Sequence, residues 1–190
     1  MLKCTHDSGS TIICKDKDKF NRNEAKEKLE LRRNTNFYKL YREWVYKDIQ
    51  PRIIAEAYIE NVEAKNLYDY KFYCFHGKVE CLQVIGDRIP ETHQGKGSFY
   101  DINWKLLPYA YTYPRFSTFK KKPKHFEEMI RVAEILSKGI IFARIDLYDL
   151  DDGVKFGEIT FNSTSGYDKW DPPSADIELG KKIVLPFEKY

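Results

Sequence analysis

The chain predicts an α+β fold built on antiparallel sheets and arranged as two small lobes, and three observations carry that prediction. Two segments, Tyr70–Phe75 with Lys78–Ile85 and Ile141–Thr160, read as strand pairs closed by tight turns, His76-Gly77 in one and Asp151-Asp152-Gly153 in the other. Between them and the first helices the polar, charged stretch Asn61–Tyr68 reads as a loop joining two lobes. Hydrophobic residues at 42% and charged residues at 32% are the balance of a chain that packs a core.

Taken in order, Met1–Thr5 reads as a strand, His6–Thr11 as a tight polar loop and Thr11–Lys15 as the returning strand. Such a Ser/Gly hairpin can lay backbone N–H groups around an anion, and Lys3 and Lys15 flank it. A helix follows at Asn23–Arg33, with Asn21 or Asn23 as its cap and Ala25 and Leu29 on one face. An aromatic helix at Tyr38–Val45 is expected to turn Tyr41 and Trp44 inward. Pro51–Ile59 is apolar and β-branched, hence a buried strand, and Asn61–Tyr68 is a polar loop between lobes. That places the first domain at 1–62 and the second at 63–190. Asp87–Pro114 lacks periodicity and is expected to be a long loop with short strands. His125–Lys138 is the clearest helix: Phe126, Met129, Ile130, Ala133 and Leu136 form one stripe, and Gly139 stands where a terminating glycine belongs.

The net charge of +3, from 32 basic and 29 acidic residues well mixed along the chain, lacks the basic stripe of a nucleic-acid binder. No apolar stretch reaches transmembrane length and no signal peptide opens the chain. Cys4, Cys14, Cys74 and Cys81 lie in apparent strands without C-x-x-C spacing, so buried reduced thiols in a cytoplasmic protein are expected. The 15% aromatic content favours core packing over ligand stacking, and the same holds for Trp44, Trp104 and Trp170.

The segment Ile141–Thr160 carries the most chemistry. One strand sets Arg144 and Asp146 on the same face, and the next reaches Glu158. Two carboxylates from neighbouring strands with a guanidinium beside them suit Mg²⁺ and a polyphosphate, since magnesium takes a few hard oxygens plus phosphate oxygens and arginine suits the transferring phosphoryl group. The plainer reading, two edge carboxylates paired with Arg144, stands beside it. Asp149, Asp151 and Asp152 resemble the D-x-D of a sugar-nucleotide transferase, but Asp-Asp-Gly is first of all a hairpin turn.

Six motifs in order, L-K-C-T-H-D-S-G-S-T-I-I-C-K, R-E-W-V-Y-K-D-I-Q-P-R-I-I-A-E-A-Y-I, D-Y-K-F-Y-C-F-H-G-K, F-Y-D-I-N-W-K-L-L-P, R-I-D-L-Y and F-G-E-I-T-F, run through nearly the whole chain. Together they resemble the TupA-like branch of the ATP-grasp superfamily, the teichuronopeptide-biosynthesis type associated with polysaccharide synthesis. The resemblance implies two α+β lobes clamping ATP. It gives Lys3 the α- and β-phosphates, and makes Ser8, Gly9 and Ser10 a flap over the β- and γ-phosphates, with Lys15 beside it. Glu56, Ala57, Tyr58 and Ile59 become the hinge strand at the adenine edge, although Glu56 can equally be structural. Asp69 would hold the ribose and Lys71 would lie near the phosphates. Arg144 would stabilise the transferring phosphoryl group, and Asp146 and Glu158 would bind Mg²⁺.

The chain departs from the family pattern in three places. Thr160 stands where many members have a metal-binding Asn, with Asn162 nearby, so either could complete the metal site. Asp7 enters the flap where the branch tends to have another glycine, and its charge must point away from phosphate. Members usually carry a further N-terminal region, so an N-terminally truncated version of the fold is expected. His6 can contact phosphate or be a satisfied loop histidine. The implied activity is an ATP-dependent carboxylate–amine ligase in cell-surface polysaccharide synthesis, acting on a carboxylate-bearing sugar or amino acid, with polysaccharide-synthesis proteins as further partners. A non-catalytic ATP-binding module and a glycosyltransferase are the alternatives.

Overall fold

The structure, a computed structural model, describes residues 1–59, 67–89, 94–167 and 169–186. Among these the chain splits into two compact units, the part before residue 60 with Ser163–Gly166, and the remainder. The expected loop Asn61–Tyr68 and the 62/63 boundary lie outside the described residues, apart from Leu67 and Tyr68.

In the first unit β1 (Leu2–Cys4) is followed by α1 (Arg22–Arg33), α2 (Phe37–Tyr41) and β2 (Ile53–Ala55). Asn21 caps α1 by accepting from the Glu24 N–H at 3.1 Å, and Ala25 and Leu29 are buried, as their spacing predicts. Three expectations change. The strand returning from the loop reduces to one bridge, Ile12 with Leu2, and the strand partner of β1 is β2. The apolar run Pro51–Ile59 contributes only three strand residues, and Ile53 and Ala55 are exposed, because a two-stranded pair buries little on its own. The aromatic helix ends at Tyr41, where Arg42 takes φ 60°, and a 3₁₀ turn at Trp44–Tyr46 follows. Tyr41 and Trp44 are 56% and 63% exposed, and the inward residue is Phe37, packed on the Tyr41 and Tyr46 rings.

The second unit is built on β3 (Asp69–Phe75), β4 (Lys78–Ile89), β5 (Gln94–Asp101), β6 (Leu106–Leu107), β7 (Ala110–Tyr111), α3 (Phe126–Leu136), β8 (Phe142–Leu150), β9 (Gly153–Thr160), β10 (Trp170–Asp171) and α4 (Ser174–Gly180). Six strands form one antiparallel sheet in the order β6-β5-β4-β3-β8-β9. Alternation divides its side chains. Phe72, Leu82, Tyr100, Ile145 and Leu147 face α3, whose Phe126, Met129 and Ala133 are fully buried against them. The opposite face carries Tyr73, Phe75, Cys81 and Phe99 under Tyr111, Trp170 and Leu179, from the β7–β10 ribbon and α4.

The turn joining β3 to β4 has His76 at φ 50° and Gly77 at φ 78°, the paired left-handed residues that match strand twist. The loop expected over Asp87–Pro114 is instead largely strand. Gly95 and Gly97, which read as breakers, lie close under Tyr113, and an added Cβ on Gly97 would come 3.2 Å from the Gln83 amide nitrogen. Tertiary packing overrides local propensity there.

Cys4, Cys74 and Cys81 are buried strand residues, and burial pushes each thiol up, that of Cys74 to about 11. Cys14 departs from expectation: it lies outside any strand and is only half-buried. A thiol reagent added to the native protein at pH 8 should therefore modify Cys14 first, and the other three only on unfolding. Mass spectrometry showing rapid labelling of Cys74 or Cys81 would contradict that burial.

Candidate functional site

The β8–β9 register decides which side chains meet. Asp146 stands opposite Glu158 and Arg144 opposite Thr160, while on the other side β3 sets Lys71 opposite Asp146. All five share one face of the sheet. Arg144 grips Asp146 with two donors, Nε to Oδ1 at 2.8 Å and Nη2 to Oδ2 at 3.0 Å, and Lys71 Nζ also bonds to Oδ2. The chain of bonds continues from Arg144 Nη2 to the Thr160 hydroxyl at 2.9 Å and from that hydroxyl to Glu158 Oε1 at 3.0 Å. Asp146 is 4% exposed. Burial works against the charge on Arg144, but the Asp146 carboxylate more than offsets it and holds the guanidinium above its usual range.

A bulge between Asp146 and Leu147 keeps Glu158 in line with Asp146, and Gly157 fills the extra position. A Cβ there would lie 2.9 Å from the Asp146 carbonyl oxygen and 3.0 Å from the Tyr148 ring. Gly157→Ala should therefore cost roughly 1–3 kcal/mol by forcing the Asp146 backbone aside. Urea unfolding measures it, and a loss below about 0.5 kcal/mol, the level of a neutral surface change, would mean that the register has slack.

These residues suit magnesium by donor chemistry. Asp146 and Glu158 supply hard carboxylate oxygens, and the amide oxygen of Asn162, two residues past β9, is buried without a hydrogen-bond partner among the described residues. The Thr160 hydroxyl is committed to Arg144 and Glu158, whereas the Asn162 amide oxygen holds no bond to a described residue. No group of three or more His, Cys, Asp or Glu side chains capable of holding a metal occurs among the described residues.

Asp69 is buried and accepts from Arg88 and from the Tyr148 hydroxyl, whose own ionisation is pushed up by burial and by Asp69. Sequence reasoning missed Arg88 and Tyr148. Period-two alternation from Asp146 places Tyr148 on this face, whereas nothing local marks Arg88. Two of the aspartates at the end of β8 and in the turn after it are otherwise engaged. Asp149 accepts from the Lys124 N–H at 2.8 Å and contacts His125 Nδ1 at 2.6 Å, and Asp152 pairs with Lys155.

In the first unit Lys3 lies on the face of the β1–β2 pair opposite to α1, and its ammonium meets Glu56 Oε1 at 2.9 Å. Glu56, Ala57 and Tyr58 are exposed residues beyond β2, Ile59 is half-buried, and the Lys15 ammonium lies 5.1 Å from the Tyr58 ring centre. The loop after β1 is tied down. Asp7 points back into the unit, accepting from Arg32 Nε at 2.8 Å and from the Ser10 hydroxyl at 2.6 Å. Arg32 also donates to the Ser8 carbonyl at 2.7 Å, and Ser10 Oγ accepts from the Cys4 N–H at 2.9 Å. The charge of Asp7 is thus met by Arg32, a partner twenty-five residues away that local reading could not find. Ser8 and Gly9 are exposed, whereas Ser10 is buried. His6 is buried too, with Nε2 3.2 Å from the Thr35 carbonyl.

No described helix is long and apolar enough to cross a membrane. The family described as TupA-like ATPgrasp matches residues 1–184. No curated protein and no solved structure gives a significant match. Matched over nearly its full length, and with Asp146, Arg144 and Glu158 on one sheet face, the chain belongs to the TupA-like ATP-grasp family.

Proposed function

We propose that the protein is an ATP-dependent carboxylate–amine ligase of cell-surface polysaccharide synthesis, of the teichuronopeptide or capsule kind. The observation that carries the reading is the direct pairing of Asp146 with Glu158 across β8 and β9, with Arg144 bonded to the first and linked to the second through Thr160. Asp146, Glu158 and Asn162 would hold Mg²⁺, which neutralises triphosphate charge when bound. Lys71 stands ready to turn from Asp146 to a phosphate oxygen. Lys3, Ser8, Gly9, Ser10 and Lys15 of the first unit would bind phosphates, and Glu56, Ala57, Tyr58 and Ile59 the adenine edge, with Asp69 on the ribose.

In the proposed reaction an oxygen of the acceptor carboxylate attacks the γ-phosphorus and ADP leaves. An amine then attacks the carbonyl carbon of the acyl phosphate, inorganic phosphate leaves and the nitrogen loses a proton. Arg144 serves both steps, because negative charge builds on the phosphoryl oxygens in the first and on the tetrahedral oxygen in the second. The acceptor is a uronic acid or amino acid of a surface polysaccharide, by family resemblance.

The second reading, a nucleotide-binding module without turnover, is favoured by one observation: both oxygens of Asp146 already hold cations. ADP release measured with pairs of uronic and amino acids tests the ligase, and Mg·ATP-dependent thermal stabilisation tests binding. Stabilisation with ADP release supports the ligase, stabilisation alone supports the module, and neither result leaves no nucleotide function.

A further inference from the structure

The phenol of Tyr73 stands on the site face of the sheet with a fixed place but no task in the bonds described so far. Tyr73 is the direct cross-strand neighbour of Arg144, on β3 opposite β8, so the two side chains lie side by side on one face. It is 5% exposed, and its ring packs near Phe99, Phe142 and Trp170 at centroid distances of 5.6, 6.3 and 5.8 Å. Phenylalanine would fill that space equally well. The hydroxyl is buried and has no hydrogen-bond partner among the described residues, an arrangement that costs free energy and that a second state of the site would explain.

Such a state follows from the bonds around Arg144. Its Nε and Nη2 both rest on Asp146, and Nη2 also reaches Thr160, whose hydroxyl is already committed to Glu158. When Asp146 turns an oxygen to a metal ion, at least one of these two bonds to Asp146 is given up. A buried guanidinium N–H without an acceptor is costly, and Glu158 is drawn to the same ion. Tyr73, directly opposite Arg144 on β3, offers a neighbouring oxygen that holds no bond to a described residue.

We propose that Tyr73 is a positioning residue: its hydroxyl accepts from the Arg144 guanidinium when Asp146 is engaged by Mg²⁺, and so holds the cation facing the transferring phosphoryl group. This rests on the reading of Asp146 and Glu158 as the Mg·ATP site. A neutral acceptor suits the role, since it fixes the guanidinium without cancelling its charge. Burial keeps the phenol protonated, with Arg144 only partly opposing that effect.

The test is Tyr73→Phe, read by thermal unfolding without ligand and by calorimetric titration with Mg·ATP. Without ligand the variant is expected to melt at the wild-type temperature or above it, because it loses an unmet hydroxyl. Its Mg·ATP affinity should fall roughly tenfold, the worth of a hydrogen bond to a charged group. In an Arg144→Met background the same substitution should leave affinity unchanged, since the group that Tyr73 positions is gone. Wild-type affinity for Mg·ATP in Tyr73→Phe, within about twofold of the parent, overturns the proposal alone. Absence of Mg·ATP binding by the wild-type protein overturns the site reading and this inference with it. A purely structural tyrosine would lower the melting temperature and leave the affinity alone.

Discussion

Asp146→Ala should destabilise the protein by about 3–5 kcal/mol, the range found when one member of a buried ion pair is removed. The reason lies in what remains. Arg144 and Lys71 both terminate on this carboxylate, and their side chains are only 11% and 15% exposed. Alanine leaves two buried cations facing each other with no anion between them and little access to water. The uncompensated charge therefore sets the cost, more than the missing hydrogen bonds do. Asp146→Asn should cost less, because one amide oxygen can still accept from Arg144. Adding Lys71→Met to Asp146→Ala should restore part of the loss by removing one of the stranded cations. Urea unfolding of the four proteins measures the series. A loss below about 1 kcal/mol for Asp146→Ala, typical of an exposed pair, would show that the carboxylate is not the hub of this face. Mg·ATP stabilisation should vanish in both single variants of Asp146.

That hub was legible in the sequence because strand alternation is a strict code. Once β8 and β9 are read as a hairpin around Asp151-Asp152-Gly153, Arg144 and Asp146 must share a face, and Glu158 must lie close by. The helical stripe of α3 and the cap of α1 were readable for the same reason, since spacing and capping chemistry are local. What escaped depends on partners distant in the chain. β5 forms although its glycines read as breakers, because β4 offers it a long edge and Tyr113 covers Gly95 and Gly97. Asp7 looked like a liability beside phosphate until Arg32, on α1, supplied its partner. The run Pro51–Ile59 shows the opposite error. Apolar β-branched residues announce a strand but not the number of neighbours that would bury it, and among the described residues β2 pairs only with β1. Thr160, read as a candidate metal ligand, also links Arg144 to Glu158 through its hydroxyl. A one-residue register slip would have separated them.

Arg144→Lys should lower ATP turnover by roughly 10²–10³-fold, the usual loss when a preorganised donor to developing charge is removed, while costing only about 1–2 kcal/mol of stability because the positive charge stays. The substitution keeps charge and discards geometry. Arginine presents a planar fork, and here one edge spans both oxygens of Asp146 while Nη2 also reaches Thr160. A lysine ammonium is a single point on a shorter, more flexible reach, and it can satisfy Asp146 or Thr160 but not hold both in a fixed plane. Mg·ATP binding depends mainly on total charge and on the carboxylates, and a lysine ammonium can still donate to the Tyr73 hydroxyl, so binding should survive within a few-fold of the wild-type value. The loss should therefore fall on kcat and leave KM for ATP nearly intact, the pattern of an interaction realised only in the transition state. If KM rose and kcat held, Arg144 would be a ground-state phosphate anchor, and the stabilisation of developing charge would have to come from Lys71. Turnover by Arg144→Lys within about threefold of wild type, well short of the loss such a donor normally carries, would remove the guanidinium from the chemistry. The fork would then be a structural clasp that keeps β8 and β9 in register.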